Sequence, residues 1–260
     1  MREIIYTIIL GIIQGLTEFL PVSSSGHLTL FAEIFKMTEN NLFTAVALHF
    51  GTLMAVVVFY FKDLLGLLKK ENHKTLGNLV IATIPAGLFM LVINSSVEKL
   101  FNSSKFVSFG FLITAIILLI TDFIGKRIKT TKPITWKSAL VMGMSQAFAI
   151  VPGISRSGST ISGGLVLASG ERKEVADFSF LMSVPIILGS TIFELFSVEI
   201  SSVNWIATLL GVLSSFITGY LAIRFMLKII GKCNFKWFSL YLFLLSFITF
   251  INGFIVPIWS

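Results

Sequence analysis

Charged residues are scarce in this 260-residue chain. They make up 13% of it, roughly half the share of a soluble domain. So few polar groups cannot cover the surface of a water-soluble globule of this size. There is one cysteine, Cys233, which excludes an internal disulfide and a CxxC metal centre. No P-loop, HExxH or GxGxxG occurs, which argues against nucleotide-driven transport and a zinc protease. Acidic residues are also few, 13 against 20 Lys and Arg, for a net charge of +7. The N-terminus lacks the uninterrupted apolar run of a signal peptide, because Gln14 and Glu18 interrupt it and Pro21 precedes the serines. Residue 1 is therefore read as part of the mature protein.

What the chain has is hydrocarbon: 55% hydrophobic residues, 26 Phe and a mean hydropathy of +0.92. That excludes disorder and fits one integral membrane domain. In such a protein the positive charge concerns loop placement rather than a nucleic-acid partner.

A spanning helix needs about 20 apolar residues. Six stretches qualify, at 42–61, 77–94, 106–125, 176–196, 203–222 and 237–258. Two other apolar stretches, 4–34 and 136–169, are broken midway. The breaks read Pro21-Val22-Ser23-Ser24-Ser25-Gly26 and Pro152-Gly153-Ile154-Ser155-Arg156-Ser157-Gly158. Each looks like two half-helices around a polar turn, and irregular backbone at membrane depth is tolerated only inside protein or beside a wet cavity.

The basic residues test this layout. Fifteen of the twenty fall in four groups: Lys62, Lys69, Lys70 and Lys74; Lys126, Arg127, Lys129, Lys132 and Lys137; Arg172 and Lys173; Arg224, Lys228, Lys232 and Lys236. All four lie on one face, the cytoplasmic one, only if both broken segments leave by the side they entered. The expected architecture is an all-α integral membrane protein with six spanning helices and two re-entrant helix hairpins, entering from opposite faces. Both termini are external, and the first hairpin opens outward.

The broken segments also match at an offset of 132 residues. Gly11, Gln14, Ser23, Ser25 and Gly26 correspond to Gly143, Gln146, Ser155, Ser157 and Gly158. A hairpin followed by three spans in each half makes the second copy upside down. Residues 1–125 and 126–260 thus read as an inverted-topology repeat within one membrane domain, with a site near the midplane.

The first turn carries Gln14 and Glu18 on one helix face, with Thr17 beside them and Ser23, Ser24, Ser25 and His27 following. A carboxylate, hydroxyls and an imidazole at membrane depth are expensive unless they serve a function. The second turn supplies Arg156, the one intramembrane arginine of this layout, among Ser155, Ser157, Ser159 and Thr160. An arginine fork and hydroxyls at a half-helix N-terminus make a phosphate or pyrophosphate cradle. The plainer alternative is packing: serines cap half-helices and Arg156 neutralises Glu18. The readings are compatible, since an empty site would hold that pair until an anion arrives. Together, the two turns suggest phosphoryl transfer.

Other polar residues say less. His49 could line the same cavity, with a satisfied core histidine as the plainer reading, and His73 reads as solvated. Asp122, Asp177 and Glu98 sit near helix ends, and Glu194 reads as a structural pair. The Phe-rich stretch from 237 to 254 faces lipid.

Gln14-Gly15-Leu16-Thr17-Glu18-Phe19-Leu20-Pro21-Val22-Ser23-Ser24-Ser25-Gly26-His27 and Pro152-Gly153-Ile154-Ser155-Arg156-Ser157-Gly158-Ser159-Thr160 resemble the two motifs of the bacterial undecaprenyl pyrophosphate phosphatases, the bacitracin-resistance family. The resemblance covers essentially the whole chain. It implies removal of the terminal phosphate from a C55 polyprenyl pyrophosphate, leaving the monophosphate carrier lipid for cell-wall synthesis and conferring bacitracin resistance. It also implies a bacterial plasma membrane location, an interdigitated inverted repeat and a homodimer.

By the same resemblance, Glu18 is the essential acid of an (E/Q)xxxE motif and Arg156 the phosphate-binding arginine. Ser155 and Thr160 flank that arginine, while Ser24 and His27 are both candidates for the reacting group. Gln14, Thr17, Ser23, Ser25 and Ser157 complete the expected substrate cradle. The expected cofactor is Mg²⁺ or Ca²⁺ held at Glu18, with Gln14 standing where some members carry a second carboxylate. Glu18 is expected either to hold that ion or to orient His27. A rival reading is a carrier for a lipid phosphate, which needs the same anion cradle but no reacting group. A structural membrane subunit would leave both polar turns unexplained.

Overall fold

The computed structural model describes residues 1–36, 41–92, 104–125, 132–168, 170–195, 203–231 and 234–255. Eleven α-helices are described: α1 (Arg2–Phe19), α2 (Ser24–Ile34), α3 (Asn41–Phe59), α4 (Phe61–Leu67), α5 (His73–Val92), α6 (Ser104–Gly125), α7 (Trp136–Phe148), α8 (Arg156–Val166), α9 (Arg172–Leu195), α10 (Trp205–Ile229) and α11 (Phe235–Phe254). One 3-10 turn, Lys70–Asn72, precedes α5. Among the described residues there is no strand, only an isolated bridge between Lys132 and Gly170. The expected positions Glu98, Lys126, Arg127, Lys129, Lys232 and Cys233, and the side chain of Glu194, lie outside the described residues.

Five helices are long and apolar enough to cross a bilayer: the segments Lys70–Val92, Lys105–Gly125, Arg172–Ile192, Trp205–Ile229 and Phe235–Phe254. A sixth candidate is α3 together with α4, bent by 74° at Tyr60. These match the six apolar stretches of the sequence. Pro85 lies inside α5 and Pro185 inside α9, as membrane helices tolerate when neighbours satisfy the freed backbone groups. Large apolar side chains on the spans remain widely exposed, among them Leu88, Leu119, Ile217 and Phe247. That pattern suits a hydrocarbon solvent and would be unstable in water.

The four helices of the two broken segments pack against spans rather than standing alone. α1 lies along α10, and α7 along α5. Both crossings are close because glycines sit at them. A Cβ on Gly143 would stand 2.5 Å from the Ala82 carbonyl oxygen, and one on Gly11 would collide with Gly211 and Ser214. Small residues let helix backbones approach in this way where no water drives association. α6 packs on α11 and α3 on α9. The main core runs between these layers through Phe19, Phe111, Leu118, Phe180 and Ile223.

Candidate active site

The site is built by two interrupted helix pairs. α1 stops at Leu20, which is extended (φ −76°, ψ 148°) because Pro21 follows and disfavours the helical region for the residue before it. Ser23 then turns the chain at φ 68°, a conformation that is costly for a residue with a Cβ. Its Oγ accepts the Gly26 N–H at 3.3 Å and caps α2. The second pair does the same with different residues. Gly153 takes the positive φ, 86°, which glycine adopts without strain. Ser155 Oγ accepts the Gly158 N–H at 3.0 Å and caps α8.

The turns are stitched to each other and to α6. Gly153 N–H donates to Ser25 Oγ at 3.4 Å, and Ser157 Oγ donates to the Leu20 carbonyl at 2.9 Å. Ser155 N–H donates to Thr114 Oγ1 at 3.0 Å. Most of the expected cradle hydroxyls are therefore engaged in holding the turns. Thr17 bonds the Ile13 carbonyl, and Thr160 the Arg156 carbonyl and Ser179 Oγ. Ser23, Ser155, Ser157 and Thr160 are all buried. Ser24, Ser25 and Arg156 keep partial exposure and are the motif groups an incoming anion can reach.

Glu18 is the centre. Its carboxylate is 5% exposed and receives the Arg156 Nη2 on Oε1. On Oε2 it accepts the Ser24 hydroxyl and, at 2.9 Å, the Gln14 amide. A buried carboxylate needs such partners, since an isolated one would cost several kcal/mol of lost hydration. Ser24 and Arg156 are each the first residue of their half-helix. A hydroxyl and a guanidinium thus meet one acid between two helix N-termini, each carrying free backbone N–H groups and a positive dipole end.

Two expectations change here. Glu18 does not orient His27. The imidazole instead lies with Nδ1 2.7 Å from the Ser23 carbonyl and Nε2 2.6 Å from Tyr241 Oη, stacked on the tyrosine ring. A carbonyl can only accept, so Nδ1 carries the proton and Nε2 accepts from the tyrosine hydroxyl. Of the two readings of His49, the plainer one gives way to the other: it stands beside the site. Its Nδ1 donates to the Ala45 carbonyl at 2.8 Å, and its Nε2 is 3.9 Å from Glu18 Oε2, with the side chain 29% exposed. No periodic pattern singles out one histidine on an apolar helix. Tyr241 was missed because it lies in the Phe-rich stretch assigned to lipid; its hydroxyl was the available signal.

Gln14 Oε1 is buried and has no hydrogen-bond partner. Among the described residues no three His, Cys, Asp or Glu side chains converge. A cation here would be held by the Glu18 carboxylate, the orphaned Gln14 oxygen and oxygens of the bound phosphate. That all-oxygen set fits Mg²⁺ or Ca²⁺, which commonly take one or two carboxylates plus substrate phosphates.

The chain is similar to known proteins over nearly its whole length. The family described as bacitracin resistance protein BacA matches residues 7–248. An undecaprenyl-diphosphatase of Thermosipho africanus is 40% identical over 252 residues, covering 95% of this chain and 99% of its own. One of Caldicellulosiruptor bescii is 42% identical over 250 residues, covering 92% and 93%. One of Halothermothrix orenii is 36% identical over 254 residues, covering 96% and 98%.

Proposed function

The chain belongs to the bacitracin resistance protein BacA family, and we propose that it hydrolyses undecaprenyl diphosphate to undecaprenyl phosphate and inorganic phosphate. The observation that carries this reading is the shared carboxylate: Glu18 holds a hydroxyl, Ser24, and a guanidinium, Arg156, at facing half-helix N-termini. A carrier would need the arginine. It has no use for a hydroxyl already hydrogen-bonded to a buried base.

In this reading the diphosphate draws Arg156 off Glu18 and takes its place between the two N-termini. Ser24 Oγ attacks the terminal phosphorus in line and gives its proton to Glu18 Oε2. The bond from phosphorus to the bridging oxygen breaks, and the electron pair leaves on undecaprenyl phosphate, a leaving group stable without a proton. Arg156 and the N–H groups of both turns stabilise the charge on the phosphoryl oxygens, and positioning with electrostatics supplies most of the rate. Water then attacks the phosphoserine. The bond from phosphorus to Ser24 Oγ breaks, Oγ takes the proton held by Glu18, and phosphate departs as H2PO4⁻ with the water's oxygen and both its protons. Bound Mg²⁺ or Ca²⁺ would neutralise the diphosphate, with Glu18 and Gln14 as its protein ligands.

The geometry favours Ser24 over His27 as the attacking group, since the basic nitrogen of His27 is occupied by Tyr241. His27 is assigned a positioning role: through its bond to the Ser23 carbonyl it braces the strained residue just before Ser24. The deciding experiment is acid quench during turnover of labelled substrate, followed by mapping of the phosphoprotein. An acid-stable phosphoserine at Ser24 is expected. An acid-labile adduct at His27 would reverse the assignment, and no phosphoprotein under rapid quench would favour direct attack by water.

The setting follows the same proposal. The helix pairs α1–α2 and α7–α8 act as re-entrant hairpins, and residues 1–125 and 126–260 as inverted repeats. Support comes from contacts that map onto each other. α1 packs on α10 as α7 packs on α5, and the 132-residue offset carries the Gly11 contact with Ser214 onto the Gly143–Ala82 crossing, forward for the glycine and back for its partner. The charge distribution then opens the site to the outer face of a bacterial plasma membrane, where the reaction would recycle the carrier lipid for wall synthesis and lower sensitivity to bacitracin. Assembly as a homodimer is part of this reading. Cysteine pairs placed across the 132-residue offset and labelled from each side of sealed vesicles test the topology.

A further inference from the structure

Away from the Glu18 site, a cavity of about 730 Å³ opens where the ends of α3, α9 and α10 meet the short helix α4. Four cations line it: Lys62 on α4, Lys173 in the first turn of α9, and Arg224 and Lys228 near the end of α10. Among the described residues none of the four forms an ion pair. Two carboxylates share the space. Asp177 is engaged by the Tyr60 hydroxyl at 2.6 Å, and Asp63 is exposed. The lining therefore keeps a surplus of positive charge.

The position matters as much as the charge. All four cations come from the groups that the loop count assigns to one membrane face. The 74° bend at Tyr60 turns α4 away from the axis of α3, which lays it along the interface if α3 spans. Beneath the charged rim, Leu181 and Leu227 continue the wall in hydrocarbon. An amphiphile with an anionic head and apolar tails matches that gradient. Basic pockets between spanning helices on the cytoplasmic side are where anionic lipid headgroups dock.

We propose that this cavity binds the phosphodiester headgroup of an anionic phospholipid from the basic-face leaflet. Lys62, Lys173, Arg224 and Lys228 take the phosphate, so that the lipid clamps α4, α9 and α10 together. This site is separate from the one that holds Glu18 and does not depend on the reading of that one.

The test is native mass spectrometry of the full chain, delipidated in detergent and titrated with phosphatidylglycerol or phosphatidylcholine of identical acyl chains. The wild type should retain phosphatidylglycerol by about ten-fold over phosphatidylcholine, with a matching rise in melting temperature. Lys173→Gln/Arg224→Gln/Lys228→Gln should bring the two lipids to parity, while Lys137→Gln, outside the cavity, should leave the preference unchanged. Should the triple variant not fold, Arg224→Gln alone should cut the preference several-fold. A preference that survives in the cavity variants, or equal retention in the wild type, overturns the proposal. Inorganic phosphate is the second arm: stabilisation by phosphate alone equal to that by phosphatidylglycerol would assign the cavity to free phosphate instead.

Discussion

The two interrupted helix pairs share a plan and differ in what they hold. Each second arm is 11 residues long, and each starts after a capping serine, Ser23 or Ser155. At the first helical position one carries Ser24 and the other Arg156. On the first arm of each pair the contrast is sharper. Gln14 is bonded to Glu18, whereas Gln146, its counterpart, has neither amide atom bonded, because Ile150 stands where Glu18 stands in the first pair. In the proposed mechanism the first turn supplies the base and the nucleophile, the second the counter-charge. One pair of turns therefore makes one reaction centre, and the second glutamine is left without the acid that would use it.

The largest expected effect breaks this division at its reactive side. Ser24→Ala should lower phosphate release on the order of 10⁴-fold with substrate binding retained, measured by single-turnover assay beside lipid binding; near-normal turnover would return the nucleophile to His27 or water. On the counter-charge side, Arg156→Ala should cost about 10³-fold and weaken binding as well. Arg156→Lys should recover only part of that, since an ammonium cannot fork across two oxygens. Smaller still is Tyr241→Phe, which removes the hydroxyl on His27 and should lower turnover about ten-fold. Its check is a pH–rate profile of variant beside wild type, because a purely structural role for Tyr241 would lower the rate without moving that profile.

The smallest effect is a matched pair in the two glutamines. Gln146→Leu replaces a buried amide that satisfies nothing and should raise stability by about 1 kcal/mol, seen as a higher melting temperature with turnover unchanged. Gln14→Leu strips a hydrogen bond from Glu18 and should reduce turnover several-fold. Equal effects of the two would mean that the turns are not divided as described.

Much of this was legible in the chain. Twenty-residue apolar runs declare spans because hydrocarbon thickness fixes their length, and Pro21 and Pro152 with their serines and glycines mark where helices must break. The meeting of Glu18 with Arg156 followed from asking what a lone intramembrane arginine could pair with. The partner of His27 was not legible: Tyr241 lies 214 positions away and looks, in sequence, like one more aromatic facing lipid. Nor could the sequence decide between the two readings of His49, or show that Ser24 and not His27 bonds the acid. Those depend on rotations of α2 and α3 about their own axes, set by packing partners far along the chain.

The Arg156–Glu18 pair also sets a threshold for occupancy. The arginine arrives already neutralised by a tethered acid, so any visiting anion competes with a resident whose local concentration is very high. A sulfate, or the single phosphate of the product, offers little more than the carboxylate it must displace. A diphosphate brings more charge and reaches both helix ends at once. Under the proposed mechanism the resting pair discriminates between the two ends of the reaction, admitting the lipid with two phosphates and, by reclaiming its arginine, expelling what remains after one is gone.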